Sequence, residues 1–87
     1  MVKVIIEIDV DGDRDIAELY FKKFCERVLG LNGVRTSRSD SIIRVQGTKN
    51  IKDIAGFSHF AVNSLSGHFI DLEEYGARVN RYELMFD

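Results

Sequence analysis

The residue types best suited to chemistry are concentrated in one stretch, Gly56 to His68. It combines serines, histidines, an asparagine and glycines within an otherwise apolar run. Ser64, Ser66 and His68 alternate by two, so on an extended strand their side chains would share one face. A histidine beside serines can donate or accept a proton near neutral pH. The alternative is a strand end where the serines bond to the backbone and His68 is half-exposed.

Two other chemistries fit this stretch less well. Ser58 would be a hydrolase nucleophile in a Gly-x-Ser-x-Gly turn, but Phe60 stands where that motif needs its second glycine. A metal site would use His59 and His68 with an acid, but these histidines are nine residues apart, whereas zinc ligands usually come in closer pairs. The sequence therefore predicts neither a hydrolase elbow nor a metal site.

The elements that precede this stretch are a strand and a long helix. Val2–Val10 alternates apolar and polar residues, which predicts a strand. Asp13 or Asp15 would cap a helix running from Asp15 to Leu29. That helix is predicted from one apolar stripe with i, i+3 and i+4 spacing, formed by Ile16, Leu19, Tyr20, Phe24 and Val28.

The rest of the chain predicts four or five strands. Val34–Arg38 and Ser41–Gln46 would form a hairpin around Ser39-Asp40, and the Gly56 to His68 stretch would enter the sheet. Asp71–Arg78 is predicted to be a turn or loop, and Val79–Phe86 the last strand. This order predicts one α+β domain over residues 1–87, a two-layer sandwich with one long helix on a mostly antiparallel sheet. The other sheet face has apolar residues, so we expect a second covering layer, a partner subunit in a homodimer.

Composition excludes several classes of partner. The net charge of −2 gives no electrostatic reason to expect nucleic acid, and Arg35, Arg38 and Arg44 are predicted to lie on a solvated strand face. No apolar run approaches the roughly 20 residues that cross a membrane, so no membrane partner is expected. The single cysteine, Cys25, cannot form an internal disulfide, which favours the cytoplasm. We interpret it as a structural residue on the helix.

The segment from Gly56 to Phe86 resembles the core of the S-adenosylmethionine decarboxylase family, the pyruvoyl enzymes of polyamine synthesis. Ser-Gly-His-Phe at Ser66 to Phe69 resembles the histidine end of the family's motif. Tyr-Glu-Leu-Met-Phe at Tyr82 to Phe86 resembles its return strand. The preceding strand and long helix also agree with the family's order of elements.

The resemblance implies an S-adenosylmethionine decarboxylase-like fold and a lyase reaction. Ser64 would be converted to the pyruvoyl cofactor, and His68 would assist that processing. The pyruvoyl carbonyl forms a Schiff base with the substrate amine and accepts electrons as carbon dioxide leaves. The substrate would be S-adenosylmethionine or a related amine, and its binding residues would be Asn63, Ser66, Glu74 and Glu83.

Two functions therefore remain open from the sequence. One is a decarboxylase that uses Ser64 and His68. The other is a non-catalytic, dimeric interaction or ligand-binding module that kept only the fold. Asn63, rather than serine, stands five residues before His68, and no cysteine follows the return strand, where the family has one to reprotonate its product. We therefore predict that the chain stays intact.

Overall fold

The computed structural model describes residues 1–87 and contains a four-stranded sheet and two helices. The order along the chain is β1 (Val2–Gly12), α1 (Arg14–Arg27), β2 (Asn32–Ser39), β3 (Ile42–Lys49), α2 (Ile54–Glu74) and β4 (Ala77–Phe86). The strands lie in the order β2-β3-β1-β4, and all neighbours are antiparallel. The β-α-β-β-α-β order is that of the ferredoxin-like arrangement. The α+β class predicted from the sequence is confirmed.

The central strand β1 supplies the middle of the hydrophobic core. Its alternating residues Val4, Ile6, Ile8 and Val10 are buried on one face of the sheet. Both helices cover that face, because their buried side chains belong to the same core cluster. The helices contribute Ala17, Phe21, Phe24, Cys25, Ala61, Leu65 and Leu72.

Helix α1 is confirmed, with Asp13 rather than Asp15 as its cap. The Ile16 backbone N–H donates to Asp13 Oδ1 at 3.1 Å. Past the helix end, the Lys49 ammonium donates to the Leu29 carbonyl at 2.8 Å, where a cation is favourable. The predicted stripe, however, is only partly buried. Leu19 is 54% exposed, and the buried face is instead the one carrying Ala17, Phe21, Phe24 and Cys25.

The prediction of a strand from Gly56 to His68 is wrong, because this stretch forms most of helix α2. Asp53 caps the helix by accepting from the Gly56 N–H at 3.0 Å. The predicted single helix is thus two helices. The predicted loop at Asp71–Arg78 is also wrong for the most part, since α2 continues to Glu74 and β4 begins at Ala77.

The remaining strand predictions are confirmed, with longer bounds. The β2–β3 hairpin turns at Asp40 and Ser41, one residue later than predicted, and Asp40 has a φ of 54°. Strand β1 ends at Gly12, where φ is 94° and a Cβ would collide with the Gly76 carbonyl. Glycine is therefore needed at position 12, where the end of β1 pairs with the start of β4.

The sheet face opposite the helices, called here the open face, is mainly polar. Glu7 pairs with Glu83 across β1 and β4, and Asp9 forms an ion pair with Arg81 at 3.6 Å. Arg44 is on this face, as predicted, because it pairs with Glu7. The apolar residues on the open face are Ile5, Ile42 and Met85.

Arg38 lies on the other side of the sheet, contrary to the prediction of a common solvated face for the three arginines. It pairs with Ile43, whose side chain is in the core layer. Its guanidinium donates to Glu18 at 2.8 Å and to Asp15, so it joins β2 to α1. These two hydrogen-bonded carboxylates raise the pKa of Arg38 above its ordinary value.

Candidate functional site

The structure separates the three polar residues that the sequence placed on one strand face. Ser64 and His68 are four residues apart in α2 and therefore share a helix face. Ser66 is two residues from each and lies on a different side, where its hydroxyl donates to the Val62 carbonyl at 3.0 Å. The prediction that Ser64, Ser66 and His68 form one cluster is wrong, because it assumed the two-residue period of a strand.

The residues assigned to substrate binding are also dispersed. Asn63 is exposed on α2, and Glu74 is exposed at the helix end. Glu83 lies on the open face, across from Glu7, and so is separated from His68 by the sheet. The structure brings none of these side chains to the Ser64 and His68 face of α2.

The structure provides no arrangement for the hydrolase or the metal site that were considered from the sequence. Ser58 and His59 lie in the first turns of α2, and His59 is exposed. No group of three His, Cys, Asp or Glu side chains is placed to hold a metal ion. Cys25 is fully buried in α1, and burial raises the pKa of its thiol to about 12. A thiol in this state is a poor nucleophile at neutral pH.

His68 instead forms a contact with α1 that the sequence did not reveal. The Tyr20 hydroxyl and His68 Nδ1 are hydrogen-bonded at 2.5 Å. The imidazole packs edge-on against Phe24, with ring centroids 5.1 Å apart, and against Tyr20 at 5.7 Å. Burial, with a smaller contribution from Asp71, raises the pKa of Tyr20, which keeps the phenol protonated. His68 is therefore a bridge between the two helices.

A groove runs along α1 beside this bridge. It consists of two adjoining hollows that share Tyr20 and Lys23. One hollow also has Ile16, Leu19 and Tyr75 as walls, and most of these side chains are apolar. The other is completed by Phe24, Arg27, Val28 and His68. We call these nine residues the α1–α2 groove.

The groove leaves large apolar side chains in contact with water. Tyr75 is 59% exposed, Leu19 54% and Ile16 38%. Single exposed apolar residues are common, but a contiguous set in a concave surface is typical of an interaction site. The sequence contains a signal for this surface. Helix α1 carries apolar residues on two adjacent faces, whereas packing on the core requires only one apolar face.

Opposite charges flank the two ends of the groove. Arg27 borders the end near Val28, whereas Lys23 lies between the two hollows because it lines both. Asp71 and Glu74 are exposed on the last turns of α2, next to Tyr75 at the other end. Asp71 is close enough to Tyr20 to affect its pKa. The groove is thus apolar along its floor, with Arg27 lining one end and the acidic residues Asp71 and Glu74 beside the other end.

Comparisons with family models, with curated proteins and with solved structures found no match. Neither helix has the length and apolar character needed to cross a membrane. The physical features of the groove are therefore the basis for a functional conclusion.

Proposed function

We propose that this chain is a non-catalytic interaction module that works as a homodimer. The observation that carries the proposal is the exposure of Leu19, Tyr75 and Ile16 together along the α1–α2 groove. Covering such a surface removes apolar area from water, which is the main favourable term in association. A domain of 87 residues buries a modest share of its surface, so association also adds stability.

The other surfaces of the domain suit association less well. The edge strand β2 carries Arg35 and Arg38 and has a register irregularity between Asn32 and Arg35. The opposite edge, β4, carries charged residues along its length. Charges and bulges on edge strands oppose edge-to-edge pairing. On the open face, a partner would have to desolvate the Glu7 and Glu83 pair.

The non-catalytic part of the proposal is supported by the placement of the candidate nucleophiles. Ser64 lies within α2 without a hydrogen bond to a base, and Cys25 is sealed in the core. The imidazole of His68 is engaged by Tyr20 at Nδ1. Nucleophilic catalysis needs the nucleophile and a base within hydrogen-bond reach of each other, and neither candidate has this arrangement.

The proposal is tested by the mass of the protein in solution. Light scattering after size exclusion, or sedimentation equilibrium at micromolar concentration, should give twice the chain mass of 9.9 kDa. The mass should fall towards that of one chain on dilution, because association of a small interface is governed by mass action. A single-chain mass at every concentration up to the millimolar range would overturn the proposal.

The catalytic alternative and its finer fold type stay predictions of the resemblance, and the cytoplasmic location stays a prediction from the single cysteine. It would need Ser64 to become a pyruvoyl group, so the chain would break before Ser64 in the middle of α2. It would also need S-adenosylmethionine or a related amine to bind near His68. Calorimetry with S-adenosylmethionine tests this, and heat of binding that is lost in His68→Ala would favour it over the interaction module.

A further inference from the structure

Resting on the proposed homodimer, we infer that two copies meet across their α1–α2 grooves in an antiparallel, two-fold arrangement. Arg27 of one copy faces Asp71 and Glu74 of the partner subunit. The occupant of the groove is thus a second copy of this chain, and its charges set the orientation of the pair.

The direction of the helices gives the groove its polarity. Ile16, near the start of α1, shares a hollow with Tyr75, at the end of α2. Tyr20, one turn later in α1, bonds to His68, about two turns earlier in α2 than Tyr75. The helices therefore run antiparallel. The basic residues are in the second half of α1, while the acidic residues are at the other end of the groove, in the last turns of α2.

A surface with this polarity is complementary to itself. In a two-fold interface the same patch is used twice, so each residue at one end meets a residue at the other end of the partner's patch. Turning a second copy by a half-turn brings its acidic end beside Arg27. The apolar floor, with Leu19 and Tyr20 near its middle, is then covered by the same residues of the partner. A parallel arrangement would instead place like charges together, which costs energy.

Neighbouring surfaces offer matched controls. Ile70 is 70% exposed on α2 but does not line the groove. Glu26 is exposed on α1 beside Arg27 and is also outside the groove. Substitutions at these positions change the same kind of side chain as the test substitutions without changing a residue that lines the groove.

The experiment measures the dimer dissociation constant of charge-reversal variants by sedimentation equilibrium. Arg27→Glu and Asp71→Arg should each raise it by on the order of tenfold or more, because each single change brings like charges together. The double variant restores opposite charges and should return to within roughly threefold of the original value. Glu26→Arg should leave the dissociation constant unchanged, and circular dichroism should show every variant folded.

A second pair of variants tests the apolar floor. Leu19→Glu should abolish the dimer at micromolar concentration, whereas Ile70→Glu should not. Salt at about 1 M, where the screening length is roughly 3 Å, should weaken the original dimer and abolish the difference between single and double charge variants. A dimer insensitive to Leu19→Glu, or single reversals that the double variant does not rescue, would overturn this interface and leave the homodimer standing. A monomeric protein would overturn both.

Discussion

The Tyr20 hydroxyl is hydrogen-bonded to His68 Nδ1 at 2.5 Å, across 48 residues of sequence. This contact joins α1 to α2 on the outer side of the core, where both side chains are partly buried. Both residues also line the groove, Tyr20 in both of its hollows and His68 in one. The helix layer and the candidate site therefore share one polar contact.

Removing the hydroxyl should destabilise the domain modestly. In Tyr20→Phe the ring stays in place, but His68 Nδ1 loses its partner. We expect the free energy of unfolding to fall by about 1 kcal/mol, the usual contribution of such a hydrogen bond. Urea denaturation followed by circular dichroism measures the change.

Tyr75→Phe is the matched control, because Tyr75 is 59% exposed and its hydroxyl has no hydrogen bond in the structure. Its effect should stay within about 0.5 kcal/mol, as for most surface substitutions. Equal losses in the two variants would show that the Tyr20–His68 contact contributes nothing specific.

Stability should decrease in alkaline solution because of Cys25. Burial raises the pKa of this thiol from 9.0 to about 12, so above pH 9 the unfolded chain releases a proton that the folded chain keeps. The unfolded state then binds fewer protons, and the free energy of unfolding falls as pH rises. The loss should reach about 4 kcal/mol by pH 12, at 1.36 kcal/mol for each unit of difference. Urea titrations between neutral and alkaline pH measure it.

Cys25→Ala separates this effect from the other groups that titrate at high pH. The variant should be less stable at neutral pH, because it loses buried volume. Its stability should nevertheless decline less steeply with pH. The remaining slope includes Tyr20, whose pKa is also raised by burial and by Asp71. Parallel pH curves for the two proteins would contradict the assignment to the thiol.

Two glycines should respond to alanine in opposite directions. Gly67 lies inside α2, and a Cβ there would have no neighbour within 4 Å. Gly67→Ala should therefore stabilise the protein by about 0.5–1 kcal/mol, the usual difference between glycine and alanine inside a helix. Gly47 is buried in β3, where a Cβ would be 2.9 Å from the Leu31 Cβ and 3.0 Å from the Asn32 carbonyl. Gly47→Ala should destabilise by about 1–3 kcal/mol through overpacking.

Thermal unfolding of the two variants checks both signs. A gain at Gly67 is expected because alanine loses less backbone freedom than glycine inside a regular element. A destabilised Gly67→Ala protein would argue against helix α2 in this segment.

The fold could be predicted where local pattern and tertiary packing agree. Strand β1 alternates apolar and polar residues except at Ile5, and α1 has a cap at Asp13, acidic residues early and basic residues late, and an apolar periodicity. The sequence does not predict helix α2, because residues with two different periodicities coexist in this segment. Ser64, Ser66 and His68 repeat by two, whereas Phe57, Ala61, Leu65, Phe69 and Leu72 repeat by three or four. Burial of the second set decides the outcome, since glycine and serine give α2 little intrinsic helix preference.

The candidate site could be predicted less well, because it depends on how the two helices meet. The sequence predicts His68 as a candidate catalytic residue, but it does not reveal the contact with Tyr20, which is distant in sequence. Ile16 and Leu19 were assigned to the predicted stripe, and they became groove walls once Ala17 and Phe21 took the core positions. A helix with two apolar faces is visible in sequence, but which face the sheet buries follows from the position of α1 over β3 and β2.

The last prediction concerns the covalent state of the chain. A pyruvoyl enzyme would be cut before Ser64, which would divide α2 and separate the buried Ala61 from Leu65. Both side chains belong to the core, so the break would interrupt the helix backbone between two of its buried positions. Asn63 also stands five residues before His68, where the resemblance calls for serine.

We therefore expect intact mass spectrometry of the purified protein to give one species at 9.9 kDa. The matched control is Ser64→Ala, which cannot form the ester needed for cleavage and should differ from the original protein only by the mass of one oxygen atom. Two fragments in the original protein and one species in Ser64→Ala would instead establish self-processing, and with it the decarboxylase alternative.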